Sequence, residues 1–130
     1  MTKPRYPTSA QLKERRLWGQ QFDRCFICRE KAPLDVHEIA RRSKTNEWCC
    51  PENFLATCRR CHDETLSWLP AVVQCALKFV SDEERFDLAT INALRHRDEG
   101  AVTWGEVKAW IVFLEAISGN RERLGGRFWA

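Results

Sequence analysis

Long apolar runs are missing from these 130 residues. No stretch approaches the roughly 20 residues that a membrane-spanning helix needs, so no span is expected. The opening MTKPRYPTSA carries positive charge with no apolar stretch behind it, so a secretory signal is not expected either and a cytoplasmic protein is. There is no internal repeat and no low-complexity segment. Charge of one sign is in short supply as well: 21 Lys and Arg stand against 18 Asp and Glu, for a formal net charge of +3. Histidine is scarce, with three residues in the chain. With 44% hydrophobic and 30% charged residues, what remains is an ordinary soluble composition.

Cysteine, by contrast, is plentiful: seven residues, an odd number that argues against a closed disulfide framework and for metal binding by some of them. Four fall in two Cys-x-x-Cys pairs, Cys25-Phe-Ile-Cys28 and Cys58-Arg-Arg-Cys61. The two-residue spacer lets each turn present both sulfurs to one ion, so Cys25, Cys28, Cys58 and Cys61 are expected to share a structural Zn2+ in a tetrahedral site. Such a site couples metal binding to folding and can staple a core too small to hold itself together. Cys75 sits in an apolar helical pattern and is expected in the core. Cys49 and Cys50 are adjacent, and neighbours bind one ion together less readily than a spaced pair.

Local signals organise the rest. Thr8 and Gln11 fit a capping box, and Leu12, Leu17, Trp18 and Phe22 predict a helix over residues 9–22. Residues 33–40 and the run from Asn53 to Thr57 predict two short strands around a polar, basic loop at 41–52. A helix starting near Cys61 carries His62. The apolar spacing from Leu66 to Val80 predicts a further helix, with Pro70 in its first turn or as a break. A short helix through Ile91, Leu94 and His96 follows, and then another, capped by Thr103 and Glu106 and stopped at Gly119-Asn120. Residues 1–66 carry 13 basic against 9 acidic side chains, and residues 67–120 carry 5 against 8. The basic excess therefore lies with the cysteine pairs and the tail RERLGGRFWA, where a phosphate backbone would be met.

The order Cys25-x-x-Cys28, Val36-His37-Glu38-Ile39, Asn53-Phe54-Leu55-Ala56-Thr57-Cys58 and Cys61-His62 resembles the HNH endonuclease superfamily in its four-cysteine, zinc-bearing form, over about residues 22–66. The resemblance implies an α+β protein: a ββα-metal core, two short antiparallel strands and a helix clasping one divalent ion, that cuts phosphodiester bonds in DNA. Residues 1–66 would be the N-terminal helix plus nuclease core, and residues 67–130 a helical extension with a basic tail. The resemblance gives His62 the role of a ligand of a catalytic divalent ion (Mg2+, Mn2+, Ni2+ or Zn2+), and Asn53 the role of fixing the loop and the base by hydrogen bonds.

The paired position of the family reads His37-Glu38 here, and two registers stay open. In one, His37 binds the ion and Glu38 is the general base. In the other, His37 is the base and Asp35 reaches in as ligand. Arg41, Arg42, Lys44, Arg59 and Arg60 are the expected phosphate contacts with DNA, and no dedicated base-reading motif accompanies them. The tryptophans are expected to build the interface between helices and core. The acidic helical extension suits a protein partner, and the oligomeric state is open. Short proteins of this type often resemble those of bacteriophages or mobile elements. The competing expectation is a catalytically inactive zinc-bearing DNA-binding module, or an interaction adaptor.

Overall fold

The protein is described here by a computed structural model covering residues 6–42, 45–95 and 100–118. Thr8 caps the first helix, α1 (Ser9–Gly19), through the reciprocal bonds of a capping box with Gln11. The helix ends three residues before its predicted stop. Only Trp18 on it is buried; Leu12 and Leu17, expected on the inner face, are exposed. The inward stripe instead runs through Gln11, Arg15 and Trp18, and continues to Phe22 beyond the helix. Aromatic packing decides this: Trp18 meets Phe22, Phe26 and Phe54 at ring-centroid distances of 4.9, 5.9 and 5.5 Å.

After the first cysteine turn come β1 (Leu34–Glu38), a loop, a one-turn helix (Pro51–Asn53) and β2 (Phe54–Cys58). The strands are antiparallel, with Val36 opposite Ala56, His37 opposite Leu55 and Glu38 opposite Phe54. Asn53 therefore lies just before the second strand rather than inside it. At Gly19 α1 passes close to the sheet, since a Cβ there would come within 2.9 Å of Val36 Cγ2. Helix α2 (Arg59–Glu64) starts directly at the second cysteine pair. These elements make a small ββα core within an α+β fold.

The apolar segment after α2 is not one helix. Pro70 has no N–H to give and disfavours a helical residue before it, so a single turn (Leu66–Trp68) precedes α3 (Ala71–Ser81), with Pro70 as its N-cap. Helices α4 (Leu88–Arg95) and α5 (Trp104–Ser118) follow within the described residues, and Thr103 caps α5 in partnership with Glu106. One buried apolar cluster runs from Trp18 through Leu55, Cys75 and Leu77 to Leu114, so the core is continuous across residue 66. Trp18 and Trp48 are buried, whereas Trp68 and Trp104 are exposed; Trp104 still meets Phe79 and Phe86 at the edge. Among the described residues no helix is long and apolar enough to cross a membrane. The predicted places of His96 and of the basic tail lie outside the described residues.

Candidate metal centre and neighbouring pocket

The two cysteine turns converge. A bridge between Arg24 and Lys31 closes the first into a tight loop, and the N–H groups of Ile27 and Cys28 point at Cys25 Sγ at 3.3 and 3.5 Å. Arg29 leaves this loop with φ of 66°, a left-handed conformation that turns the chain back. The second turn spans the junction of β2 and α2. The four Sγ atoms of Cys25, Cys28, Cys58 and Cys61 lie within 4.8 Å of one another, and Cys28 and Cys58 approach to 3.9 Å. Zinc–sulfur bonds of about 2.3 Å in a tetrahedron place sulfurs about 3.8 Å apart, so the quartet fits a structural zinc.

Its electrostatics fit as well. Burial, helped by the neighbouring sulfurs, pushes the Cys28 thiol up to about 12 and raises Cys61 further. At Cys58 burial opposes the thiolate, but hydrogen bonds from the Cys61 backbone and the other thiols outweigh it, and its pKa is lowered. A crowded set of thiols that cannot all ionise alone is one that a divalent cation stabilises strongly. All seven cysteines are free. Cys75 is in the core as expected, and burial raises Cys49 and Cys50 to about 11 each. Among the described residues, the quartet is the one group of three or more side chains able to share a metal ion.

A second set of residues gathers along β1. Successive side chains of a strand point to opposite faces, and here that separates the expected pair. His37 faces α2 and α3: its ring lies 5.8 Å from that of His62, centroid to centroid, at 71°, and its Nε2 meets Gln74 Oε1 at 3.1 Å. Glu38 faces α1 and the loop. Its Oε2 accepts from Arg15 Nε at 3.0 Å, and its Oε1 is paired with Arg42 at 3.1 Å. Arg15 also donates to the Val36 carbonyl, covering the open edge of β1. At the end of this narrow sheet both faces open onto one pocket of about 320 Å³, lined by Arg15, Val36, His37, Glu38, Arg41, Arg42 and His62.

Two imidazoles sharing one cation, with each nitrogen about 2.0–2.1 Å from it, hold their ring centroids roughly 5–6 Å apart. The observed 5.8 Å fits. His37 is suited to donate its lone pair: burial lowers its pKa from the ordinary 6.5, with His62 and Arg41 adding to the effect against the pull of Gln74 and Glu38. His62 has a 3.4 Å contact from Nδ1 to Asp63. Asn53 is fully buried. Its Oδ1 accepts from the Ala40 N–H at 2.7 Å, and its Nδ2 donates to the carbonyls of Ala40 and Trp48, both at 3.0 Å. It stitches the loop after β1 to the turn before β2.

Other expected residues fall elsewhere. Asp35 shares the face of His37 but is paired with Arg59 at 3.3 Å and does not line the pocket. Arg60 pairs with Glu64 at 3.3 Å, on the exposed side of α2. Arg41 and Arg42 line the pocket, and the Arg42 guanidinium lies 4.6 Å over the Trp48 ring. Lys44 lies outside the described residues. Two residues escape sequence reasoning: Arg15, which lines the pocket, and Gln74, which bonds to His37 behind it. Arg15 looks like part of a solubilising face, and no local pattern distinguishes it. Gln74 did carry a signal, as a lone amide inside the apolar run Ala71–Val80. No protein-family model matches the chain, and no match is found among curated proteins or solved structures.

Proposed function

We propose that the chain is a metal-dependent DNA endonuclease of the HNH type, hydrolysing phosphodiester bonds in duplex DNA in a reducing cytoplasm, with a structural zinc at the cysteine quartet. The observation that carries the reading is the approach of His37 and His62, from a strand and a helix, within a pocket rimmed by three guanidiniums. A divalent cation held by these imidazoles would stabilise the charge that develops on the phosphate and the leaving 3′-oxygen. A donor set of two imidazoles favours Ni2+ or Zn2+ over Mg2+.

The chain's own groups divide the remaining work. Arg15, Arg41 and Arg42 take the phosphate oxygens, for which a guanidinium fork is shaped. Glu38 holds Arg15 and Arg42 in place before substrate arrives. An incoming phosphate competes for those guanidiniums, and the carboxylate it releases is the base of the register in which His37 binds the cation. Asn53 keeps the loop carrying Arg41 and Arg42 in register with the strands. Arg59 and Arg60 give wider, sequence-independent contacts to DNA.

Supercoiled plasmid tests this with Mg2+, Mn2+, Ni2+, Zn2+ or EDTA. Nicked circles are expected with the divalent metals and not with EDTA. They are expected to be lost in His37→Ala and His62→Ala at unchanged zinc content, and reduced at least about 100-fold in Glu38→Gln, as for removal of a general base. DNA binding without nicking in every metal would replace the nuclease with an inactive zinc-bearing DNA-binding module. A second reading, an adaptor that recruits a protein through the helical extension, draws on exposed Val112 and Phe113 beside half-buried Trp110 on α5.

A further inference from the structure

Gln74 is 8% exposed, set between Val73 and Cys75 on the inner face of α3. A buried amide is costly unless both of its ends are hydrogen-bonded. Here both are. Gln74 Nε2 lies 3.0 Å from the Leu69 carbonyl, and Oε1 lies 3.1 Å from His37 Nε2. The carbonyl can only accept, so the amide nitrogen must face it and the amide oxygen must face His37. That oxygen can only accept in turn, so the imidazole carries its hydrogen on Nε2. The lone pair is left on Nδ1.

The Leu69 carbonyl is itself held in place. Leu69 ends the turn that precedes α3, its own N–H bonding back to Leu66. Pro70, next in sequence, has no N–H and fixes the entry into the helix. The Gln74 backbone N–H bonds to the Pro70 carbonyl at 3.2 Å. The amide is thus anchored at both its main chain and its side chain before it reaches the histidine.

We propose that Gln74 is a positioning residue for the candidate site: a relay from the Leu69 carbonyl through the Gln74 amide fixes His37 as the Nε2–H tautomer and offers Nδ1 to the pocket shared with His62. The proposal rests on the reading of His37 as a functional histidine. It makes α3, from the helical extension, part of the site rather than only its support. A hydrogen bond to the outer nitrogen of a ligating or basic imidazole sets its orientation and tautomer. The residue class required here is an amide and not a carboxylate, since the group must accept from the ring and donate to a carbonyl at once.

Zinc-loaded full-length protein, labelled with nitrogen-15, supplies a test independent of catalysis. At neutral pH the His37 ring is expected to show the two-bond proton–nitrogen pattern of the Nε2–H tautomer. Its ring N–H proton should be visible and slow to exchange with water. Gln74→Met keeps the side-chain volume and removes both bonds. It is expected to abolish the protected ring N–H and to lower the plasmid-nicking rate by about 10–100-fold, the usual effect of losing such a partner.

A parent ring found as the Nδ1–H tautomer overturns the proposal, whether or not the variant folds. So does a Gln74→Met protein that keeps the parent's ring signals and rate. If the ring signals behave as expected while no metal supports nicking, the nuclease reading fails and the hold of Gln74 on His37 stands.

Discussion

At the scale of single residues, fully buried Asn53 and half-buried His37 serve different ends. Asn53 bonds to one N–H and two carbonyls of the loop between the strands. Asn53→Ala would strand the N–H and carbonyl of Ala40, at about 1–3 kcal/mol for each unsatisfied group, while the Trp48 carbonyl keeps its bond from the Cys50 N–H at 3.1 Å. A loss of about 3 kcal/mol is expected, read as a lower urea midpoint with an unchanged slope. His37 is half-buried with a lowered pKa, so the unfolded chain takes up this proton more readily than the folded one. Its contribution is complete above the ordinary 6.5 and is lost as pH falls through 6.5 toward the folded-state value. Zinc-saturated parent should therefore lose more stability than His37→Gln between neutral and mildly acidic pH. Equal losses in parallel urea titrations would show that His37 is not the group responsible.

Among the elements, α3 does the most to join the parts. Its Lys78 is fully buried. It donates to Asp82 Oδ2 at 2.6 Å and to the Pro51 carbonyl at 2.7 Å, and its ammonium lies 4.6 Å from the Trp18 ring centroid. Trp18 Nε1 donates to the same Asp82 oxygen at 3.2 Å. One buried ion pair therefore ties α3 to α1 and to the turn before β2. Burial lowers the Lys78 pKa from its ordinary 10.5 against the pull of Asp82, which marks the desolvation that the pairing must offset. Lys78→Met alone leaves a buried carboxylate without its cation and is expected to cost about 3–5 kcal/mol. Adding Asp82→Leu should recover much of that loss, since well-packed apolar replacements of a buried pair are often neutral. Thermal denaturation of the two single variants and the double variant would measure the coupling.

For the whole molecule, the apolar cluster and the cysteine quartet act together. The cluster reaches from Trp18 and Phe26, beside the first cysteine turn, to Leu114 on α5. The quartet pins that turn to the junction of β2 and α2. Removing zinc with a strong chelator, or replacing Cys58 with Ala, is expected to unfold the ββα core first. Structural zinc contributes about 10–16 kcal/mol in small finger peptides at neutral pH; a zinc at the quartet would act beside the burial in the helical cluster. Near-ultraviolet circular dichroism of the buried Trp18 and Trp48 should collapse, while the helical far-ultraviolet signal of α3 and α5 falls less. Coincident loss of both signals would mean that the two parts unfold as one unit.

The sequence by itself determined whatever is settled within a few residues. The spacing of each cysteine pair places two sulfurs on one turn; Thr8 with Gln11 and Thr103 with Glu106 mark helix starts; Pro70, which lacks an N–H, left a first-turn place or a break open, and the structure takes the break. Only the tertiary structure decided which side of each element faces inward. The inner stripe of α1 carries Arg15 and excludes Leu12 and Leu17, because aromatic packing around Trp18 outweighs the burial of two leucines. Glu38 and His37, adjacent in the chain, are parted by the pleat, and Gln74 reaches His37 from a helix 37 residues away. Such pairings come from strand register and helix docking, whose free energy is spread over many distant contacts, so no local stretch of sequence contains it.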